Sequence, residues 1–315
     1  MSAFSHYAFM SIGRLIPISV VFVAITVVCS PIHAQDLEPR AYSNSPTGLS
    51  FAIGSYTFSK GSVPTDPALP IDNSSIETHT AVFALATTLN VFGKSAKLDM
   101  IVPYTSLAAQ GVVAGVYRER LVTDFGDPFL RFSINFYGAP ALTMKEFASY
   151  KQDWIIGASL RVGVPLGHYD EDKLINLGSN RWSFRPEVGV SKAFGRWTVE
   201  LAPGVAFYTD NGDFFGGKTR KQAPLFGVQS SVTYSVLPGL WLSFSGSYFA
   251  GGRTTVDGIE NDNKQEGGRI GATLSLPVNR QHAVKLYAFR GFNADREADL
   301  DGVGIAWQYR WGGGF

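Results

Sequence analysis

Ten ionisable side chains sit beside large apolar residues at alternating positions of this chain: Lys97, Asp99, Arg131, Arg161, Arg185, Glu187, Glu200, Arg269, Lys285 and Arg310. Cations and anions both occur. In a confined, water-filled space such groups either pair into ladders that brace the surrounding wall or form a polar constriction that selects solutes. Nucleophilic chemistry has less support. His79, His168 and His282 are the histidines after the N-terminal segment, and neither a GxSxG nor an HExxH motif accompanies them. Acidic groups recur at Asp170-Glu171-Asp172, Asp210-Asn211-Gly212-Asp213 and Glu260-Asn261-Asp262 without EF-hand spacing, so they read as solvated loop charge. Phe214 and Phe215, next to the second group, either meet an apolar solute or pack inward. No enzyme activity, metal or cofactor is expected.

The elements that position the ten charges are strands. The final stretch shows the pattern: Val303, Ile305, Trp307, Tyr309 and Trp311 alternate with Gly304, Ala306, Gln308 and Arg310. A period of two places one set on each face of a strand. The same alternation predicts strands at 49–58, 83–91, 98–104, 130–136, 154–164, 182–191, 197–207, 226–234, 240–248, 270–276, 284–289 and 303–311. In the first of these, Leu49, Phe51 and Ile53 form the apolar face; in the eleventh, Lys285, Tyr287 and Phe289 blur the alternation.

Connector lengths alternate as well. Long polar loops follow every odd-numbered strand, including an irregular excursion over 106–126, and tight turns follow strands 2, 6, 8 and 10. The connector after the fourth strand holds one helical signal, a Thr143–Glu146 capping box. Twelve strands with segregated loop lengths predict an all-β fold: a transmembrane antiparallel β-barrel with long extracellular loops and short periplasmic turns. The apolar phase then meets lipid and the ten charges line the lumen. Twelve strands lie between small filled barrels and open porins, so a narrow or partly filled pore is expected. The last strand must pair with the first to remove both edges. Trp311 and Phe315 are candidate assembly signals, although Gly312-Gly313-Gly314 separates Phe315 from the strand. Pro186 and Pro203 interrupt neighbouring strands; they predict either a bulge or hydrated break, or a weakened wall for lateral exit of an apolar solute.

Composition agrees. The 315 residues are 17% charged and 13% aromatic, with 34 Gly, which suits many short strands better than a surface of charged helices. Arg14 followed by an apolar run over Leu15–Cys29 and Ile32-His33-Ala34 predicts a signal peptide over residues 1–34, with the barrel over 35–315. Of 27 Lys and Arg, removing Arg14 leaves 26 against 26 Asp and Glu, which argues against nucleic acid as a partner. Cys29 is the only cysteine, so the exported chain has neither disulfide nor thiolate site.

Several segments carry a family resemblance: LEPRAYSNSPTG (37–48), GDPFLRFSINFYGAPAL (126–142), LINLGSNRWSFRPEVGVSK (174–192), YTDNGDFFGG (208–217), GGRTTVDG (251–258) and AWQYRW (306–311). They resemble outer-membrane proteins named after the meta-pathway of phenol degradation. That resemblance implies an outer-membrane barrel in a Gram-negative bacterium and uptake of aromatic or other small hydrophobic compounds. It supplies no catalytic or binding residues. The expected partners are outer-membrane lipid, a small solute and the outer-membrane assembly machinery. The competing expectation is a structural or lipid-modifying barrel with a plugged lumen.

Overall fold

The structure, a computed structural model, describes residues 37–62, 71–113, 116–292 and 300–314. The expected signal peptide and Phe315 lie outside the described residues. In chain order the elements are β1 (Leu49–Gly61), β2 (Ile71–Val91), β3 (Lys94–Val113), β4 (Val116–Phe125), β5 (Phe129–Tyr137), α1 (Met144–Phe147), β6 (Trp154–Gly163), β7 (Ser183–Phe194), β8 (Trp197–Tyr208), β9 (Asn211–Phe214), β10 (Lys218–Gln222), β11 (Leu225–Leu237), β12 (Leu240–Gly251), β13 (Thr254–Val256), β14 (Ile259–Glu260), β15 (Gln265–Pro277), β16 (His282–Phe292) and β17 (Leu300–Gly312).

Twelve of these strands form a closed antiparallel barrel: β1, β2, β3, β5, β6, β7, β8, β11, β12, β15, β16 and β17. Closure is made by β1 against β17, from Leu49 opposite Gly312 to Gly61 opposite Leu300. No edge is left unpaired in the wall, as lipid requires. The twelve walls coincide with the twelve stretches of alternation. The irregular excursion at 106–126 is the outer half of β3 and its hairpin partner β4, which extend the wall beyond the barrel. The long loop expected after the first strand is likewise partly strand, since β2 begins at Ile71.

Outward residues are large and apolar around the whole wall. Phe83, Met100, Phe132, Leu201, Phe244 and Ile305 are examples, with Phe83 the most exposed of these at 67%. A belt of rings marks the periplasmic end: Trp197 lies 4.8 Å from Tyr234, and Trp307, Tyr309 and Trp311 stack in series. This is the apolar band with an aromatic girdle that a membrane-spanning barrel needs.

The first strand is phased opposite to expectation. Ile305 lies opposite Tyr56 and Trp307 opposite Gly54, so the even positions of β1 face lipid. Leu49, Phe51 and Ile53 therefore face inward, and Leu49 is only 2% exposed. Leu49 is covered at the closing seam, where it lies against Gly313. The muddied alternation of β16 has a related cause. Tyr287 and Phe289 point inward over Gly304 and Gly302, where a Cβ would come within 2.3 and 2.4 Å of the rings.

Pro186 and Pro203 both face lipid. The β7–β8 ladder pairs Phe184 with Phe207, Glu187 with Gly204 and Val190 with Leu201, and lacks the pairs between these positions. The register is the same on either side, so the seam holds a break and no bulge. The outer ladders continue through both prolines, with Leu160 opposite Pro186 and Val228 opposite Pro203. Proline has no N–H to give, and each proline removes one ladder donor.

Two features cover the ends. At the periplasmic side α1 is a single turn capped as expected: Thr143 Oγ1 accepts from Glu146 N–H at 3.3 Å, and Glu146 Oε2 accepts from Thr143 N–H at 2.8 Å. At the extracellular side β9, β10, β13 and β14 make a small second sheet inside stretches that read as plain polar loops.

Candidate functional site: the occupied lumen

Residues 37–48, which precede β1, run into the barrel and occupy its interior. The segment enters at the periplasmic end, where Thr47 N–H donates to Leu142 C=O at 2.8 Å and Gly48 N–H to Thr88 C=O at 3.0 Å. Asn44 Nδ2 donates to Pro140 C=O and Asn135 Nδ2 donates to Tyr42 C=O. Leu37, at the far end of the segment, reaches β15 at Gly271. No strand or helix forms in it; its backbone groups are met by wall carbonyls, by wall side chains and by an internal turn, Ser43 N–H donating to Arg40 C=O at 3.2 Å.

The wall charges converge on this segment. Arg131 donates through Nε to Asp99 Oδ2 at 2.8 Å and through Nη2 to Glu38 Oε1 at 3.1 Å, while Nη1 meets Glu38 Oε2. This is a two-pronged grip on a carboxylate, the strong form of an ion pair. Lys97 donates to Ala41 C=O. Tyr42 Oη donates to Glu187 Oε1 at 2.9 Å, and Glu187 also lies 3.5 Å from Arg185. Ser43 Oγ donates to Glu200 Oε1 at 3.4 Å. Arg40 and Lys285 lie against the Trp241 ring, each 5.8 Å from its centroid. Burial pushes the Glu38 carboxyl up, but Arg131, with help from Lys97 and Lys285, holds it down at about 2.

Tyr42 also has a shaped seat. A Cβ on Gly189 would lie 2.0 Å from Tyr42 Cε2, and one on Gly157 would lie 2.9 Å from Tyr42 Cδ1. The two glycines face each other across β6 and β7. They leave the groove in which the ring lies.

The remaining candidates sit elsewhere. Arg161 lies over the Phe129 ring at 3.9 Å and Arg269 over Phe289 at 4.5 Å. Arg310 caps the periplasmic end, with its Nε donating to Arg280 C=O at 2.6 Å. Trp311 pairs with Ser50 within the closing seam. One gap beside the segment, between Leu37, Glu38, Tyr42 and the β8, β11 and β12 walls, is about 10 Å³, room for about one water. Nearer the outside, Leu177 from the 164–182 loop packs with Ile76, Leu107, Ala109 and Leu300 in an apolar cluster.

Glu38, Arg40, Tyr42 and Ser43 were not readable as lumen residues, because their stretch has no periodicity. The one available signal was that 37–48 belongs to the motif set quoted above. The histidines are held locally: His79 contacts Tyr56 and Glu77, His168 contacts Asp124, and His282 accepts from Trp307 Nε1 at 3.2 Å. The loop acids find basic partners, Asp210 on Lys221 and Glu260 and Asp262 on Arg253. Phe214 packs inward at 4% exposed, beneath Arg220.

A family model described as "Putative MetA-pathway of phenol degradation" matches residues 62–309. The chain belongs to this family. Among solved structures, an outer membrane channel from Pseudomonas putida F1 is similar over 88% of this chain and 100% of its own, at 19% identity and a TM-score of 0.76. That likeness shows the same fold. The β domain of the Bordetella autotransporter BrkA follows at 9% identity and TM-score 0.47, covering 84% of this chain and all of its own. A search of curated proteins finds no match.

Proposed function

We propose that this protein is a non-enzymatic outer-membrane channel whose own N-terminal segment closes the pore, and that it admits small solutes, aromatic or otherwise hydrophobic, to the periplasm. The observation that carries the reading is the manner in which the lumen is filled. The segment is held by one gripped carboxylate, one seated ring and a few hydrogen bonds, over a wall that stays polar beneath it. A barrel of about eight strands can be filled by its own side chains, and twelve strands enclose more space than that. Here the filler is a strand-free chain that leaves a charged conduit when withdrawn.

The solute class is supported by the family description and by the apolar cluster of Leu177, Ile76, Leu107 and Leu300 at the outer side. The deciding experiment is planar-bilayer conductance of purified protein with and without residues 37–46. Conductance that rises several-fold on deletion supports the reading. No conductance in either protein leaves the structural or lipid-modifying barrel as the better account. Export through a cleaved leader and insertion by the assembly machinery belong to the same proposal, and N-terminal sequencing of the outer-membrane protein tests the first.

A further inference from the structure

A second polar site lies at the extracellular mouth, above the segment just described. Arg181 stands at the end of the loop before β7 and is only 2% exposed. Asn180 precedes it with φ of 52°, a left-handed turn that Asn tolerates, and is tied to Asn211 by a 3.0 Å hydrogen bond. The Arg181 guanidinium lies 4.3 Å from the Tyr208 ring centroid, and its Nη2 donates to Gln222 Oε1. Gln222 in turn donates from Nε2 to Gln265 Oε1 at 3.2 Å.

The other two nitrogens of Arg181, Nε and Nη1, are buried and have no hydrogen-bond partner among the described residues. Nearby acids are committed elsewhere. Asp127 accepts from Gly167 N–H, Ser179 N–H and Ser179 Oγ. Asp210 pairs with Lys221 at 3.1 Å. Arg220 lies on the same face of β10 as Gln222, also buried, with its guanidinium 5.3 Å from the Phe214 ring centroid. Burial lowers the Arg181 pKa to about 10, so it remains a cation at neutral pH.

A buried guanidinium with two N–H-bearing nitrogens unmet is costly unless an anion or water completes it, and guanidinium is matched to planar carboxylates. We propose that Arg181 is the centre of a binding subsite for a small organic carboxylate, roofed by the loop sheet of β9, β10, β13 and β14. The Tyr208 ring supplies an apolar face beside Arg181, and the Phe214 ring one beside the neighbouring Arg220, which favours an acid with a ring over acetate. This deepens the channel reading by naming a solute class. It is tested by binding, so it can fail while the pore conducts, and the pore can fail while it holds.

The test is titration calorimetry on the full exported chain in detergent, with benzoate as the probe and benzamide as its neutral counterpart. Benzoate should bind saturably and benzamide at least tenfold more weakly. Arg181→Met should weaken benzoate at least tenfold, with heat-modifiability on gels reporting that the barrel is intact. Equal binding of benzoate and benzamide, no saturable benzoate binding, or benzoate binding by folded Arg181→Met as by wild type would overturn the proposal. If Arg181→Met does not fold, the two-probe comparison on wild type decides alone. Inorganic phosphate is the third arm: it should displace benzoate poorly, and displacement tenfold better than by acetate would overturn the carboxylate assignment in favour of a general anion site.

Discussion

Tyr42 lies in a slot that any side chain at position 189 would fill. Gly189→Ala places its Cβ 2.0 Å from the ring, so the ring must leave while the exterior of the barrel is untouched. Bilayer recordings of Gly189→Ala should therefore show conductance raised toward that of the segment deletion, with unchanged heat-modifiability. Tyr42→Phe is milder. It removes the bond to Glu187, worth about 1.5–3 kcal/mol for a hydrogen bond to a charged group, and the longer contact to Ser159, and should raise the open fraction modestly in the same recordings. Glu38 gives a pH dependence with a definite sign. Its carboxyl is held at about 2 in the inserted state against an ordinary value of 4.5. A lowered value contributes full stability above 4.5 and loses it as pH falls toward 2. The Glu38 contribution to closure should thus weaken progressively below about pH 4.5. The Glu38→Gln variant should already be more open at pH 7 and lose that slope.

The wall strands were legible because lipid outside and water inside impose a period of two on nearly every strand. Residues such as Leu98, Met100 and Val102 against Lys97 and Asp99 can be read without any partner. Three things escaped for physical reasons. β1 has apolar residues on its inner face, where Leu49 is buried against Gly313 at the closing seam, so its phase inverted. The inserted segment is irregular and has no period to read. The loop sheet is built from strands of two to five residues rich in polar side chains, such as Lys218–Gln222, and these look like any hydrated loop. The β7–β8 seam carries a prediction of its own. Apart from the Glu187–Gly204 pair and the two prolines, residues over 185–189 and 202–206 lack ladder partners across this seam, and their seam-facing amides should exchange with deuterium faster than those in the β1–β17 seam, where pairing is continuous. Uniform protection across both seams would remove any basis for lateral exit there. At the other end, the closing ladder reaches Gly312, so truncation after Gly312 should leave pairing intact and assembly near normal in an insertion assay. Loss of insertion would assign the signal to the residues beyond it.

The whole molecule is a closed wall, greasy outside and charged inside, with its own leading segment drawn into the conduit. Closure removes every strand edge from lipid, so the wall is complete without the segment. The proposed gating rests on that separation: withdrawal of the segment would break no wall ladder. Its anchors are side-chain contacts to the wall along its length and backbone bonds to Leu142 and Thr88 where it enters. The most direct measurement is single-channel conductance of the exported chain beside a form lacking residues 37–46, in the same bilayer and salt. The account predicts a small or intermittent conductance for the full chain and a steady, several-fold larger one for the deletion. Equal conductance in two correctly folded barrels would contradict it.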